Sequence, residues 1–304
     1  MPKPAWLVNH LKDHVETNPD NLSLRYHLHK HLSGPRPGRS LYTVHASDII
    51  DHAEEWCPRR IALMIAYGKS PPDEFLATVD SVVYTHSSDV ASRMVHWLAE
   101  IGIAVTDWRC SVCGADFTFS VRPEECSCGS KSFYYREPRV TSGFSGISGG
   151  LDLLVAFPGE SKAMAVEIKG VQKSDFKELK LPMALHRLRT NLYLRLIEES
   201  NYEFKDEIRT DKARILYVVK GGWGEKSNDP HEWGLPDKGW SPFKEFEIQR
   251  DDSETEPHSL LARRLKVWRD AQEAGKATDL PAGVCETSMC SLAMKCQVRS
   301  ECWN

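Results

Sequence analysis

Residues 150–170 read GLDLLVAFPGESKAMAVEIKG, and the reading of this stretch decides the fold. Two runs of Leu, Val, Ile and Ala flank Pro158-Gly159-Glu160-Ser161, the mark of a β-hairpin with a four-residue loop. If Phe157 pairs with Lys162, the register sets Asp152 opposite Glu167, and strand alternation brings Lys169 to the same face. Two carboxylates beside an ammonium can hold a hard divalent cation next to a water, which suits cleavage of a phosphodiester. Exposed strand faces often carry charge, so the hairpin gains its meaning from the cysteines around it.

The chain has 304 residues, of which 41% are hydrophobic and 27% charged. That composition is soluble and globular, and the length suffices for one domain with insertions or two smaller ones. A net charge of −4 gives no global basic field, so any contact with nucleic acid has to rely on a local groove. No run of about 18 apolar residues is present to span a membrane. The opening MPKPAWLVNHLKDH lacks the apolar centre of a signal peptide. A cytoplasmic protein is therefore expected, and there nine cysteines point to metal more than to disulfides.

Composition changes along the chain suggest five parts. Residues 1–40 form an N-terminal extension with a short helical pattern and the loop Ser33-Gly34-Pro35-Arg36-Pro37-Gly38. Residues 41–107 read as helical, with Ser47 or Asp48 capping a helix that runs towards Cys57-Pro58, and a second helix over 73–103. Residues 108–136 are a Cys-rich insertion. Residues 137–280 form the core, with the hairpin, helices at 181–197 and 260–274, a strand at 213–219 and a Gly-, Trp- and Pro-rich loop over 221–242. Residues 281–304 are a Cys-rich tail.

The cysteines fall into two sets. Cys110-Ser-Val-Cys113 is followed, after twelve residues, by Cys126-Ser-Cys128. Four thiolates in two close pairs fit tetrahedral Zn²⁺ held by two knuckles. Such a ribbon either grips DNA or a protein, or simply staples the insertion. The second set is Cys285, Cys290, Cys296 and Cys302 with the distant Cys57. Its sulfur count suits zinc or an iron–sulfur cluster, and five cysteines for four positions leave one spare.

Taken together, Cys57-Pro58-Arg59, the central Asp followed by Glu-x-Lys, and the C-terminal cysteines resemble RecB-type nucleases of the PD-(D/E)XK superfamily. Within it they are most similar to the CRISPR-associated RecB-like exonucleases and their phage-encoded relatives. The likeness spans residues 41–304, including a zinc-ribbon insertion. It implies an α/β fold with a mixed central sheet flanked by helices, and chain ends clamped by a [4Fe–4S] cluster. Its ligands would be Cys57, Cys296, Cys302 and either Cys290, the nearer, or Cys285. The likeness further implies that Asp152, Glu167 and the Ile168 carbonyl bind Mg²⁺ or Mn²⁺, and that Lys169 orients the attacking water.

Two departures accompany the likeness. The family's metal-binding histidine in an early helix falls in register with Ala91, between His86 and His96. A family glutamine four residues before a tyrosine is replaced by Arg189, ahead of Tyr193. Arg187, Arg189 and Arg195 suit phosphate oxygens, Tyr193 is a further candidate DNA contact, and Trp223 suits stacking on unpaired bases. The expected function is metal-dependent DNA hydrolysis, as an exonuclease in phage recombination or replication, with DNA and a recombination or replication protein as partners. The alternative is a catalytically silent DNA-binding or scaffold protein of the same fold.

Overall fold

The computed structural model describes residues 40–41, 43–50, 56–68, 78–143, 145–220, 225–226, 240–254, 259–276, 280–294 and 296–303. The chain divides into two compact units, one of residues 1–39 with 70–86, the other of residues 40–69 with 87–304. The second unit carries all the chemistry that follows. Residues 1–39 of the N-terminal extension, Trp223 and the side chain of His86 lie outside the described residues.

In chain order the elements begin with β1 (Val44–His45), α1 (Ala46–Ile49), α2 (Pro58–Ala66) and α3 (Thr78–Glu100). The helix expected to be capped by Ser47 or Asp48 instead starts at Ala46, because the Asp48 carboxylate turns back to accept from His45 N at 2.9 Å. Cys57 is the N-cap of α2, its Sγ accepting from Arg60 N at 3.4 Å. Pro58, which lacks an N–H, fits the first helical position that needs none.

A three-stranded ribbon follows, β2 (Thr106–Cys110), β3 (Asp116–Ser120) and β4 (Phe133–Arg136), ordered β3-β2-β4 and antiparallel throughout. Next come β5 (Arg139–Thr141), β6 (Ile147–Gly150), β7 (Leu153–Val155) and β8 (Met164–Gln172). The helices α4 (Lys173–Glu178) and α5 (Ala184–Glu199) precede β9 (Lys212–Lys220). The short strands β10 (Glu225–Lys226) and β11 (Trp240–Ser241) pair with each other ahead of β12 (Phe243–Gln249). The chain closes with α6 (Leu260–Ala274), α7 (Ser291–Met294) and α8 (Arg299–Trp303).

The central sheet has the order β12-β9-β8-β7, with β8 and β9 parallel and both outer pairs antiparallel. It is therefore mixed, as expected, and it packs against α4 and α5. Strand β8 reads MAVEIKGVQ, and its first five residues are all buried. A strand covered on both faces reads as a near-continuous apolar run, and Glu167 is the exception inside it.

The hairpin register is the one read from the sequence, with Leu153 opposite Val166 and Val155 opposite Met164. The four-residue loop is not. Pairing stops at Val155–Met164, and Phe157 does not pair with Lys162. Both strand ends are engaged elsewhere: Ala156 N donates to Ile103 O at 2.9 Å, and Ala163 N donates to Glu207 O at 2.9 Å. Those bonds pull the strands apart before the Pro158-Gly159 turn. Strands β6 and β7 are two halves of one strand bent at Leu151-Asp152. The first half pairs with β1 and β5 and the second with β8.

Candidate active site and metal centres

The bend is what positions Asp152. There the ladder between β7 and β8 lapses, and the Asp152 side chain takes over, its Oδ2 accepting from Ile168 N at 2.8 Å. N–H and C=O of one strand residue leave by the same edge, so the Ile168 carbonyl faces Asp152 as well. From the other side Tyr135, on β4, donates its hydroxyl to the carbonyls of Leu151 (3.2 Å) and Asp152. The ribbon thus holds the backbone from which Asp152 projects.

Glu167 and Lys169 project from one face of β8 towards Asp152. Lys169 Nζ lies 2.5 Å from Glu167 Oε1 and 3.5 Å from Asp152 Oδ2. Glu167 is only 3% exposed, and its Oε1 is ion-paired with Lys169. Burial, reinforced by the Asp152 charge and opposed by Lys169 and Arg189, pushes the Glu167 carboxyl up to about 7. Burial works against the Lys169 charge, yet Glu167 and Asp152 together hold its ammonium above the usual lysine range. Two carboxylates and a strand carbonyl are the kind of hard oxygen donor that Mg²⁺ or Mn²⁺ takes.

Helix α5 forms the opposite wall. Arg189 Nη1 is 3.8 Å from Glu167 Oε1, so the residue standing where the resemblance expects glutamine points into the site. Arg187 and Arg195 do not join it in one row. At about 100° per residue, positions two apart on a helix diverge widely. Arg187 Nη1 lies 3.9 Å from Asp251 Oδ2, and Arg195 Nε bonds Glu199 Oε1 at 2.6 Å. Tyr193 is a packing residue at the floor of the site: a Cβ on Gly149 would come within 2.6 Å of its ring. His186 Nδ1 is 2.9 Å from Tyr217 Oη, and burial followed by the Lys169 and Arg189 charges lowers its imidazole to about 4.

No early-helix histidine reaches the acids among the described side chains. His96 Nδ1 lies 2.7 Å from Ser92 O, and its ring packs edge-on against Trp108. Sequence reading missed Glu137, whose carboxylate packs over Gly150 next to Asp152. Burial and then the Asp152 charge raise its pKa. It lies in the short link between β4 and β5, where no periodic pattern marks it.

The ribbon cysteines do come together. The Sγ atoms of Cys110, Cys113, Cys126 and Cys128 all lie within 4.8 Å of one another, and the group can hold a metal ion such as zinc. The positive φ values of Gly114 (75°) and Gly129 (81°) close the two knuckles just after the second sulfur of each pair.

The terminal cysteines meet around a separate cavity of about 290 Å³ whose wall includes Cys57, Cys285, Cys296 and Cys302. Cys290, the expected ligand, is not on that wall. Its Sγ accepts from Ala293 N at 3.3 Å at the start of α7, and its thiol meets that of Cys285. Among the described residues only the ribbon sulfurs crowd within single-ion distance.

No protein-family model matches this chain, and the curated proteins contain no match. Among solved structures, a crystal structure of SSO0001 is similar over 85% of this chain and 88% of that one, at 16% identity and a TM-score of 0.36. A likeness that weak assigns neither fold nor function. Among the described residues, no helix is long and apolar enough to cross a membrane.

Proposed function

We propose that the protein is a metal-dependent DNA nuclease of the PD-(D/E)XK type, built around Asp152, Glu167 and Lys169. The observation that carries this reading is the convergence of these three side chains at the bend between β6 and β7, with the Glu167 carboxylate buried among them. Asp152, Glu167 and the Ile168 carbonyl would hold Mg²⁺ or Mn²⁺. When bound, such a cation lowers the pKa of a coordinated water and offsets charge on a phosphate. The residues supply the rest. Lys169, kept cationic by its two acids, favours the deprotonated state of a water at its Nζ. Asp152 is held in place by Ile168 N and Tyr135. Arg189 places a second cation beside Glu167, within reach of a phosphate oxygen entering the site.

Zinc in the ribbon and a [4Fe–4S] cluster on Cys57, Cys285, Cys296 and Cys302 are structural in this reading. The cluster ties α2 to the C-terminal tail across a long stretch of chain, which constrains the unfolded state in principle. A soluble, cytoplasmic setting and a role in DNA recombination or replication belong to the same proposal.

A second reading, DNA binding without cleavage, is favoured by one feature. Arg189 and Lys169 both face Glu167 and compete with a metal for its oxygens. End-labelled single- and double-stranded DNA incubated with Mg²⁺ or Mn²⁺ distinguishes the two. Cleavage that needs added metal and disappears in Asp152→Asn supports the nuclease. Metal-independent binding with no product from either substrate supports the second reading.

A further inference from the structure

We propose that His186 is a neutral phosphate-contact residue of the site, its Nε2–H offered to a non-bridging oxygen of the DNA strand and its tautomer locked by Tyr217. The inference rests on reading DNA as the ligand, and it starts from the sheet. In the parallel β8–β9 pair, Lys169 lies beside Tyr217 and Glu167 beside Ile215. Paired residues of neighbouring strands point to the same face, so the Tyr217 ring stands next to Lys169. Helix α5 covers that face: His186 meets Tyr217, and Arg189 meets Glu167. Positions three apart on a helix are neighbours on one side. His186 therefore continues the wall that Arg189 begins, over the row that holds Lys169.

The hydrogen bonds decide which ring nitrogen carries the proton. Tyr217 is fully buried, and its Oη accepts from Met183 N at 3.0 Å. Its own proton needs an acceptor, because a buried hydroxyl left without one is costly. His186 Nδ1, 2.9 Å away, is the acceptor at hand. A neutral imidazole accepts at one nitrogen and donates from the other, which puts the proton on Nε2. Among the described residues nothing bonds Nε2, and the half-buried ring leaves it open to solvent. The charges of Lys169 and Arg189 both bear on the ring. What fits beside it is an anion, and a phosphate oxygen is drawn by both cations while accepting from the N–H.

Oligonucleotide binding to the full chain, followed by fluorescence anisotropy without added Mg²⁺ or Mn²⁺, separates a contact from a prop. The amide of His186→Asn can meet Tyr217 as Nδ1 does but has nothing at Nε2. The amide of His186→Gln puts an N–H near Nε2 and gives up the Tyr217 bond. His186→Asn should bind labelled single- or double-stranded oligonucleotide about tenfold more weakly, with a wild-type melting temperature at neutral pH. Its slope of affinity against salt should be unchanged, because a neutral donor displaces no counterion. His186→Gln should recover most of the affinity. Wild-type affinity in His186→Asn, or weaker binding by His186→Gln than by His186→Asn, would overturn the contact and leave His186 a support for Tyr217, with DNA binding intact. A shallower salt slope in His186→Asn would overturn the neutral form. If His186→Asn melts early, nitrogen NMR of histidine-labelled wild type decides. The His186 ring should be protonated at Nε2, with that signal shifting when oligonucleotide is added; protonation at Nδ1, or no shift, would overturn the proposal. A wild-type chain that binds neither oligonucleotide would bring down both this contact and the DNA reading.

Discussion

At the scale of single residues, the account turns on Glu167, the one ionisable residue among the five buried residues that open β8. Its folded pKa of about 7 lies above its ordinary value of 4.5. The folded chain therefore holds the proton more tightly than the unfolded chain, and stability falls as pH rises from about 4.5 through 7. Glu167→Gln should flatten that fall in thermal melts of protein free of Mg²⁺ and Mn²⁺. His186 works in the opposite sense across the acid range. Its pKa drops from 6.5 to about 4, so its share of stability is full above 6.5 and is lost as pH falls towards 4. His186→Asn should reduce acid sensitivity between those values in the same melts. Tyr135→Phe removes a hydroxyl that serves two backbone carbonyls. It should cost about 1 kcal/mol in denaturant titrations and slow cleavage by loosening Asp152.

At the scale of elements, the ribbon is a buttress for the bend that carries Asp152. Its inner face carries Trp108, fully buried against Met94, Val95 and residues of β7 and β8. Trp108→Ala should destabilise the protein by about 3–5 kcal/mol, the usual cost of emptying such a site. Cys113→Ser with Cys128→Ser should lower zinc from one ion per chain to none and also slow cleavage, because Tyr135 leaves with the ribbon. Much of this element was legible in the sequence. Knuckle spacing marked the four ribbon sulfurs, and alternation across the Pro158-Gly159 turn gave the Asp152–Glu167 register. The hairpin loop was misread because its length depends on bonds to Ile103 and Glu207, which no local pattern encodes. Glu137 was missed for a related reason: its partner Gly150 is brought to it only by the β5–β6 pairing. Strand β12, whose exposed residues alternate with two partly buried ones and the buried Ile248, carries too little apolar content to stand out.

At the scale of the whole molecule, the two sulfur centres divide the work. One shapes the insertion beside the acids, and the other gathers α2 and the tail around a single cavity. The sequence left Cys285 and Cys290 as alternatives because both lie within reach of Cys296; only the three-dimensional path of the tail separates them. Cys285→Ser should abolish iron binding and the visible absorbance of anaerobically prepared protein, whereas Cys290→Ser should retain both. The reverse result would restore the assignment first expected from the sequence. The measurement that bears most directly on the central claim compares wild type with Lys169→Ala, each saturated with labelled DNA, in a single-turnover reaction started by Mn²⁺. The account predicts equal DNA affinity and a cleavage rate reduced at least about a hundredfold in the variant, the scale of a lost proton-transfer or charge-stabilising group. Equal cleavage by both proteins, or none by either with DNA bound and zinc and iron in place, would contradict it.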